Sequence, residues 1–121
     1  MNIEKINIKA KANLINVLDS YKIIAEMNDY YFKLVKEKRE FVWHKHPETD
    51  EVFITIEGKF KLAFRDKVSE LDEGDMVVVP KGVEHKSIFE DVCCVMLIEP
   101  KTTINTGDAE GNLTETELEW I

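Results

Sequence analysis

The chain has 121 residues, 44% of them hydrophobic, which suits one domain (1–121) with a modest core. With 16 basic and 24 acidic residues the net charge is −8, and no basic cluster interrupts it, so a nucleic-acid partner is not expected. No apolar run approaches the ~20 residues of a membrane span, and Met1–Lys11 lacks the apolar stretch of a signal peptide.

Met1–Lys11 mixes charges with isolated aliphatics at Ile3, Ile6 and Ile8. Asn13 is a candidate cap for a helical turn carrying Leu14, Val17 and Leu18. Strand-like patterning then begins. Tyr21–Glu26 is a first strand, stopped by Asn28-Asp29, and Tyr30–Val35 is a second. Glu40–His46 is a third, ended by Pro47, which has no N–H to give a ladder. Glu51–Ile56 is rich in β-branched and aromatic residues.

Glu57-Gly58-Lys59 is expected to be a hairpin turn. The strand after it presents Phe60, Leu62 and Phe64 on one side. Arg65-Asp66-Lys67 and Glu73-Gly74-Asp75 turn the chain twice more before the apolar run Met76–Val79. Pro80-Lys81-Gly82 is a further turn. His85–Phe89 is short, and Val92–Ile98 is the longest apolar strand, closed by Pro100. Residues 102–121 form a polar, irregular tail, in which Thr114 is placed to cap a last turn carrying Leu118 and Ile121. Short strands at regular spacing, with turn residues between them, indicate an all-β sandwich or barrel.

The two cysteines, Cys93 and Cys94, are neighbours. On a strand they point to opposite faces, so they share neither a metal nor an unstrained disulfide. They read as small buried residues, at home in a reducing cytosol.

Two stretches carry chemistry. The first is His44-Lys45-His46-Pro47-Glu48-Thr49-Asp50-Glu51 with Gly58; the second runs from Gly74 through Pro80 and Gly82 to His85. His44 and His46 are two apart, which on a strand sets both imidazoles on one face with Val42, leaving Phe41, Trp43 and Lys45 on the other. Glu51 then starts a neighbouring strand, with Phe53 and Thr55 on its face. A lone histidine or glutamate is more often an ordinary surface or packed residue. Here all three histidines of the chain fall inside the two stretches. His44, His46, Glu51 and His85 supply three imidazoles and a carboxylate, a set suited to one divalent Mn, Fe, Ni, Cu or Zn ion with a coordination position left open.

The spacing resembles the two motifs of the cupin superfamily: H-x-H, three or four residues, Glu, six residues, Gly; then Gly, five residues, P-x-G-x-x-H. His44, His46, Glu51 and Gly58 match the first motif, and Gly74, Pro80, Gly82 and His85 match the second. An Asn common four residues after the last histidine is replaced by Phe89. The chain also resembles the small, functionally uncharacterised cupins described as mannose-6-phosphate isomerase-like. Their ending is similar to Glu99-Pro100-Lys101 and Asn105-Thr106-Gly107-Asp108 here. The resemblance implies a double-stranded β-helix, or jelly roll, with the metal inside on His44, His46, Glu51 and His85. It also implies a homodimer, with Ile3–Ile8 a candidate exchanged strand. The expected ligand is a small organic acid or sugar derivative, either converted (as by a metal-dependent oxygenase or isomerase) or merely bound or sensed. Strand parity names Tyr31, Lys33, Thr55 and Ser87 as candidate acids or bases near the ion.

Overall fold

A computed structural model describes residues 3–109, 111 and 113–121; Met1, Asn2, Glu110 and Asn112, which belong to the N-terminal stretch and the tail, lie outside the described residues. The strands are β1 (Lys22–Met27), β2 (Tyr30–Glu37), β3 (Glu51–Glu57), β4 (Lys59–Phe64), β5 (Val68–Asp72), β6 (Met76–Val79), β7 (His85–Ile88), β8 (Cys93–Pro100) and β9 (Glu119–Trp120). One helix, α1 (Ile8–Asn13), precedes them. A six-stranded sheet has the order β6-β3-β8-β2-β1-β9, and a three-stranded sheet the order β5-β4-β7. Together they form a jelly-roll β-sandwich.

The two sheets enclose one core. Val35, Phe53, Val79, Val95 and Leu97 from the larger sheet meet Phe60, Leu62 and Leu71 from the smaller. Burying such side chains away from water is the main force holding the sheets together. A second apolar cluster lies on the outer face of the larger sheet. There Ile24, Leu34, Cys94 and Met96 pack against Ala12 and Ile15, with Ile8, Ile54, Ile56 and Ile98 at the margin. Cys93 and Cys94 fall in the inner and outer clusters respectively, as strand alternation requires. Burial pushes the thiol of Cys93 up to about 12 and that of Cys94 up to about 11.

Several elements differ from expectation. The helix lies six residues earlier than Asn13 suggested, because Asn7 is its cap: the Asn7 side chain accepts a bond from the Ala10 N–H at 2.8 Å. Its buried side is Ala12, with Ile15 just beyond, while Leu14, Val17 and Leu18 are exposed. Ile8 opens this helix, so Ile3–Ile8 is not a strand. Gly58 is not a hairpin turn. Its positive φ of 86° carries the chain from one sheet to the other, with Val92 and Cys93 so close that a side chain would crowd them. Val68–Asp72, unassigned from sequence, pairs with β4 across the Arg65-Asp66-Lys67 turn.

The segment 40–46 is not a continuous strand. Only Glu40 and His44 form isolated antiparallel bridges, to Ile88 and His85. With the regular alternation lost, Phe41 turns inward and is 6% exposed. The tail is not merely loose. Asn105 and Thr106 are buried, Glu119–Trp120 pairs in parallel with β1, and no helical turn follows Thr114.

Candidate metal centre

His44, His46, Glu51 and His85 converge, and all four are buried. One donor atom from each lies within 4.8 Å of the others. Two donors on one ion at about 2.0–2.2 Å stand at most about 4.4 Å apart. The four donors are thus near enough to one another to form a group that could hold an ion.

Backbone pairing builds this cluster. The His44 N–H donates to the His85 carbonyl at 3.0 Å, and the His85 N–H returns the bond to His44 at 2.9 Å. The rings of this pair lie 4.4 Å apart, centroid to centroid. The Pro80–Gly82 turn is tied to the first motif at two points. Gly82 N–H donates to the His46 carbonyl at 2.9 Å, and Lys81 N–H to Asp50 Oδ1 at 2.8 Å. Glu51 opens β3, whose pairing with β6 and β8 fixes its inward direction. The spacing of the two motifs is thus the spacing of two chain segments that hydrogen bond to each other.

Two of the imidazoles are oriented by the backbone. Nδ1 of His44 lies 2.9 Å from the Val42 carbonyl, and Nδ1 of His85 lies 2.9 Å from the Val83 carbonyl. A carbonyl can only accept, so each Nδ1 carries a proton, and in the neutral ring each Nε2 keeps its lone pair. His85 Nε2 is 3.1 Å from Glu51 Oε1. His46 Nε2 is 3.4 Å from the same oxygen and makes no hydrogen bond. In the neutral tautomer, acceptors face acceptors, an arrangement that a positive charge between them relieves.

Electrostatics divides the group. Burial holds His44 down to about 4, so it stays neutral in the ordinary range. Burial also disfavours charge on His85, but the hydrogen bond and charge of Glu51 outweigh it and raise its pKa. Burial works against ionised Glu51 too, yet contacts with Glu99, His46 and His85 hold it well below the usual carboxylate range. Glu99 is pushed well above that range by burial and by the charge of Glu51, against the pull of Lys33.

A cavity of about 20 Å³, the size of a single water, lies beside His44 and Glu51. Its walls include Tyr21, Glu37, Phe41, Ser87 and Asn105. Phe89, in place of the expected Asn, fills part of it by stacking on Phe60 with ring centroids 4.8 Å apart. A wider recess, about 290 Å³, opens outside His46 between Pro47–Thr49 and Thr102–Ile104. The tail closes over this end. Lys45 N–H donates to Asp108 Oδ1 at 2.8 Å, Asp108 N–H donates to the Lys45 carbonyl at 3.0 Å, and Gly107 lies so near that a Cβ there would collide with that carbonyl.

The four parity-based acid or base candidates separate. Ser87 lines the cavity. Lys33 is buried and gives its ammonium to Glu99 at 2.8 Å. Thr55 is buried with its hydroxyl unpartnered. Tyr31 lies elsewhere, edge-on to Trp120 at 5.9 Å. Sequence reasoning missed Glu37 and Glu99, both 2% exposed or less, and Tyr21, whose hydroxyl donates to Glu37 at 2.9 Å. Their signal was present. Glu37 and Glu99 keep step with the buried residues Val35 and Leu97 in otherwise apolar strands.

Known proteins bear on this geometry. Residues 30–99 match the family model described as Cupin domain. The uncharacterised protein YdbB of Bacillus subtilis is 35% identical over 82 residues, covering 67% of this chain and 73% of that protein. The crystal structure of a cupin-2 domain containing protein from Shewanella frigidimarina superposes with a TM-score of 0.76 at 55% identity, covering 78% of this chain and 93% of the other. The protein NMB1881 from Neisseria meningitidis gives 0.73 at 35% identity, covering 80% and 99%. With a matched domain over more than half its length and the inward-facing histidines and glutamate described above, the chain belongs to the cupin family.

Proposed function

We propose that this protein holds one divalent transition metal on His44, His46, Glu51 and His85, and uses it to bind or convert a small polar organic molecule. The observation that carries this reading is the facing of His85 Nε2 and Glu51 Oε1 at 3.1 Å, with both Nδ1 protons of His44 and His85 already given to backbone carbonyls. A metal bound there supplies Lewis-acid or redox chemistry at a coordination position the four side chains leave open. The chain's own part is to orient the imidazoles through Val42 and Val83, to exclude bulk water with Phe41, Phe53 and Phe89, and to offer Ser87 and Glu37 as polar walls.

Metal analysis of protein purified without added salts should find about one ion per chain. For an iron-loaded sample, reduction under anaerobic conditions and addition of nitric oxide should give a paramagnetic adduct. Absence of that adduct removes the oxygenase version. Thermal shifts with 2-oxo acids, dicarboxylates and phosphosugars then identify a ligand, since one that prefers the native state raises the melting temperature.

The single-water cavity favours a second reading, in which the ion stiffens the barrel or anchors a sensed ligand without chemistry. It predicts a spectrum unchanged by nitric oxide and by every ligand tried.

We also infer a cytoplasmic homodimer acting as one domain per chain. Two buried free thiols suit a reducing compartment. Val78, Val52, Ile98 and Phe32 form an apolar row across the outer face of the larger sheet, through direct cross-strand pairing. Val78 and its neighbour Met76 are 51% and 60% exposed. A row of this kind suits the face of a second copy, related by two-fold symmetry. Val78→Glu should shift the mass seen by light scattering from dimer to monomer; a parent that is already monomeric rejects the dimer.

A further inference from the structure

A recess of about 390 Å³ opens where the tail meets β1 and β2, a volume in the range of small-molecule sites. Tyr31 and Trp120 both line it, with ring centroids 5.9 Å apart and planes at 89°. An edge-to-face pair of this kind leaves aromatic faces free for a third group. The Lys101 ammonium lies 5.4 Å from the Tyr31 centroid, whereas Trp120 meets no other ring or cation among the described residues and is 50% exposed. Nor is this indole loose. Trp120 pairs with Ile23 in the parallel ladder of β1 and β9, the Ile121 N–H donates to the Ile23 carbonyl at 3.1 Å, and the Lys11 ammonium donates to the Ile121 carbonyl at 2.8 Å. A fixed, half-open indole on a cavity wall is a preorganised platform.

The other walls decide what sits on it. Thr102, Thr103 and Thr116 line the recess, and their hydroxyls make no hydrogen bond to protein among the described residues. Glu115 lines it too, with Oε1 accepting from the Tyr21 N–H at 3.3 Å. The ammonium on the wall, that of Lys101, is already paired with Glu26. An anion would therefore meet a carboxylate and a neutralised cation. A purely apolar ligand would cover three hydroxyls and a carboxylate without bonding them. A sugar ring suits both sets of groups, with C–H bonds on one face and hydroxyls round its rim. We propose that this recess binds a neutral sugar ring, its C–H face on the Trp120 indole and its hydroxyls on Thr102, Thr103, Thr116 and Glu115. The site goes beyond the metal centre and does not rest on it, although Thr102–Ile104 also walls the recess beside His46.

The chain has two tryptophans, so Trp43→Phe leaves Trp120 as the only indole to report. Titration of that protein with glucose, galactose, maltose and cellobiose, followed by fluorescence, should give a saturable emission shift with at least one of them. Glucuronate should bind less tightly than the neutral sugar that binds best. Ligand-observed NMR then compares variants with the parent. Trp120→Ala should weaken binding about 10-fold or more, and Thr103→Val about 2- to 10-fold. Thr103→Val keeps the indole and tests the site if Trp120→Ala does not fold. No saturable shift with any of the four sugars overturns the proposal. So does a folded Trp120→Ala protein with the parent affinity, or tighter binding of glucuronate. An emission that changes with protein concentration and not with sugar puts Trp120 in a contact between copies, and overturns it too.

Discussion

The two faces of the six-stranded sheet depart from the usual division of an antiparallel sheet, in which the inner face is apolar and the outer face polar. On the inner face, Lys33, Glu37, Glu51, Thr55 and Glu99 interrupt Val35, Phe53, Val95 and Leu97. On the outer face, Phe32, Leu34, Ile54, Ile56, Met96 and Ile98 form an apolar cover, with Lys36 at its margin giving its ammonium to the Ile15 carbonyl at 3.0 Å. The same strands thus carry two kinds of burial. The inner face gives up hydrocarbon to house polar groups, most of them held by a partner or facing the centre, with the Thr55 hydroxyl unpartnered. The outer face supplies hydrocarbon packing, with α1 seated over part of it. A sheet face that carries charges is not for that reason the wet one.

Three variants and one titration break or sharpen this contrast. The largest effect belongs to His85→Ala. It should abolish stoichiometric metal in elemental analysis and bring the melting temperature down to that of the metal-free parent, because binding and folding are linked. Retention of the parent's metal content would exclude His85 as a ligand. Next is Leu34→Ala on the outer face, where Leu34 is fully buried. Urea unfolding should show a loss of about 2–5 kcal/mol, while metal content per folded molecule stays at the parent level. If metal content falls in proportion, the two faces are not independent.

A smaller effect should appear in the metal-free protein below neutrality. The His44 pKa is about 4, against 6.5 for an ordinary histidine. Between these values the unfolded chain takes up a proton that the native chain refuses. The His44 contribution to stability is therefore complete above pH 6.5 and lost as pH falls through about 4. His85, whose pKa is raised, should titrate on the other side of 6.5. Imidazole chemical shifts followed by NMR resolve the two, and coincident titrations would refute the asymmetry. The smallest effect belongs to Trp43→Phe. Trp43 packs under the Arg65 guanidinium at 3.9 Å and near the Lys86 ammonium at 5.3 Å, away from the donor group, so metal content should not change.

Much of the fold was legible because period-two alternation and turn residues are local signals. The Asn28-Asp29 and Arg65-Asp66-Lys67 turns fall where the chain does reverse. The gathering of His44, His46, Glu51 and His85 was legible from the motif spacing, and the structure brings the four together. What escaped was non-local. Gly58 looks like a hairpin turn until it is known that β3 and β4 belong to different sheets. Val68–Asp72 is too polar to announce a strand, and it is one only because β4 pairs with it. Parity failed at Phe41 because residues 40–46 touch β7 through two separate bridges and not a continuous ladder. Glu99 was passed over within an apolar strand, because its meaning depends on Lys33 and Glu51, 66 and 48 residues away.

The close seat of Gly107 on Lys45 leaves no room for a side chain. Any residue larger than glycine at that position would lift the tail off the backbone that joins His44 to His46.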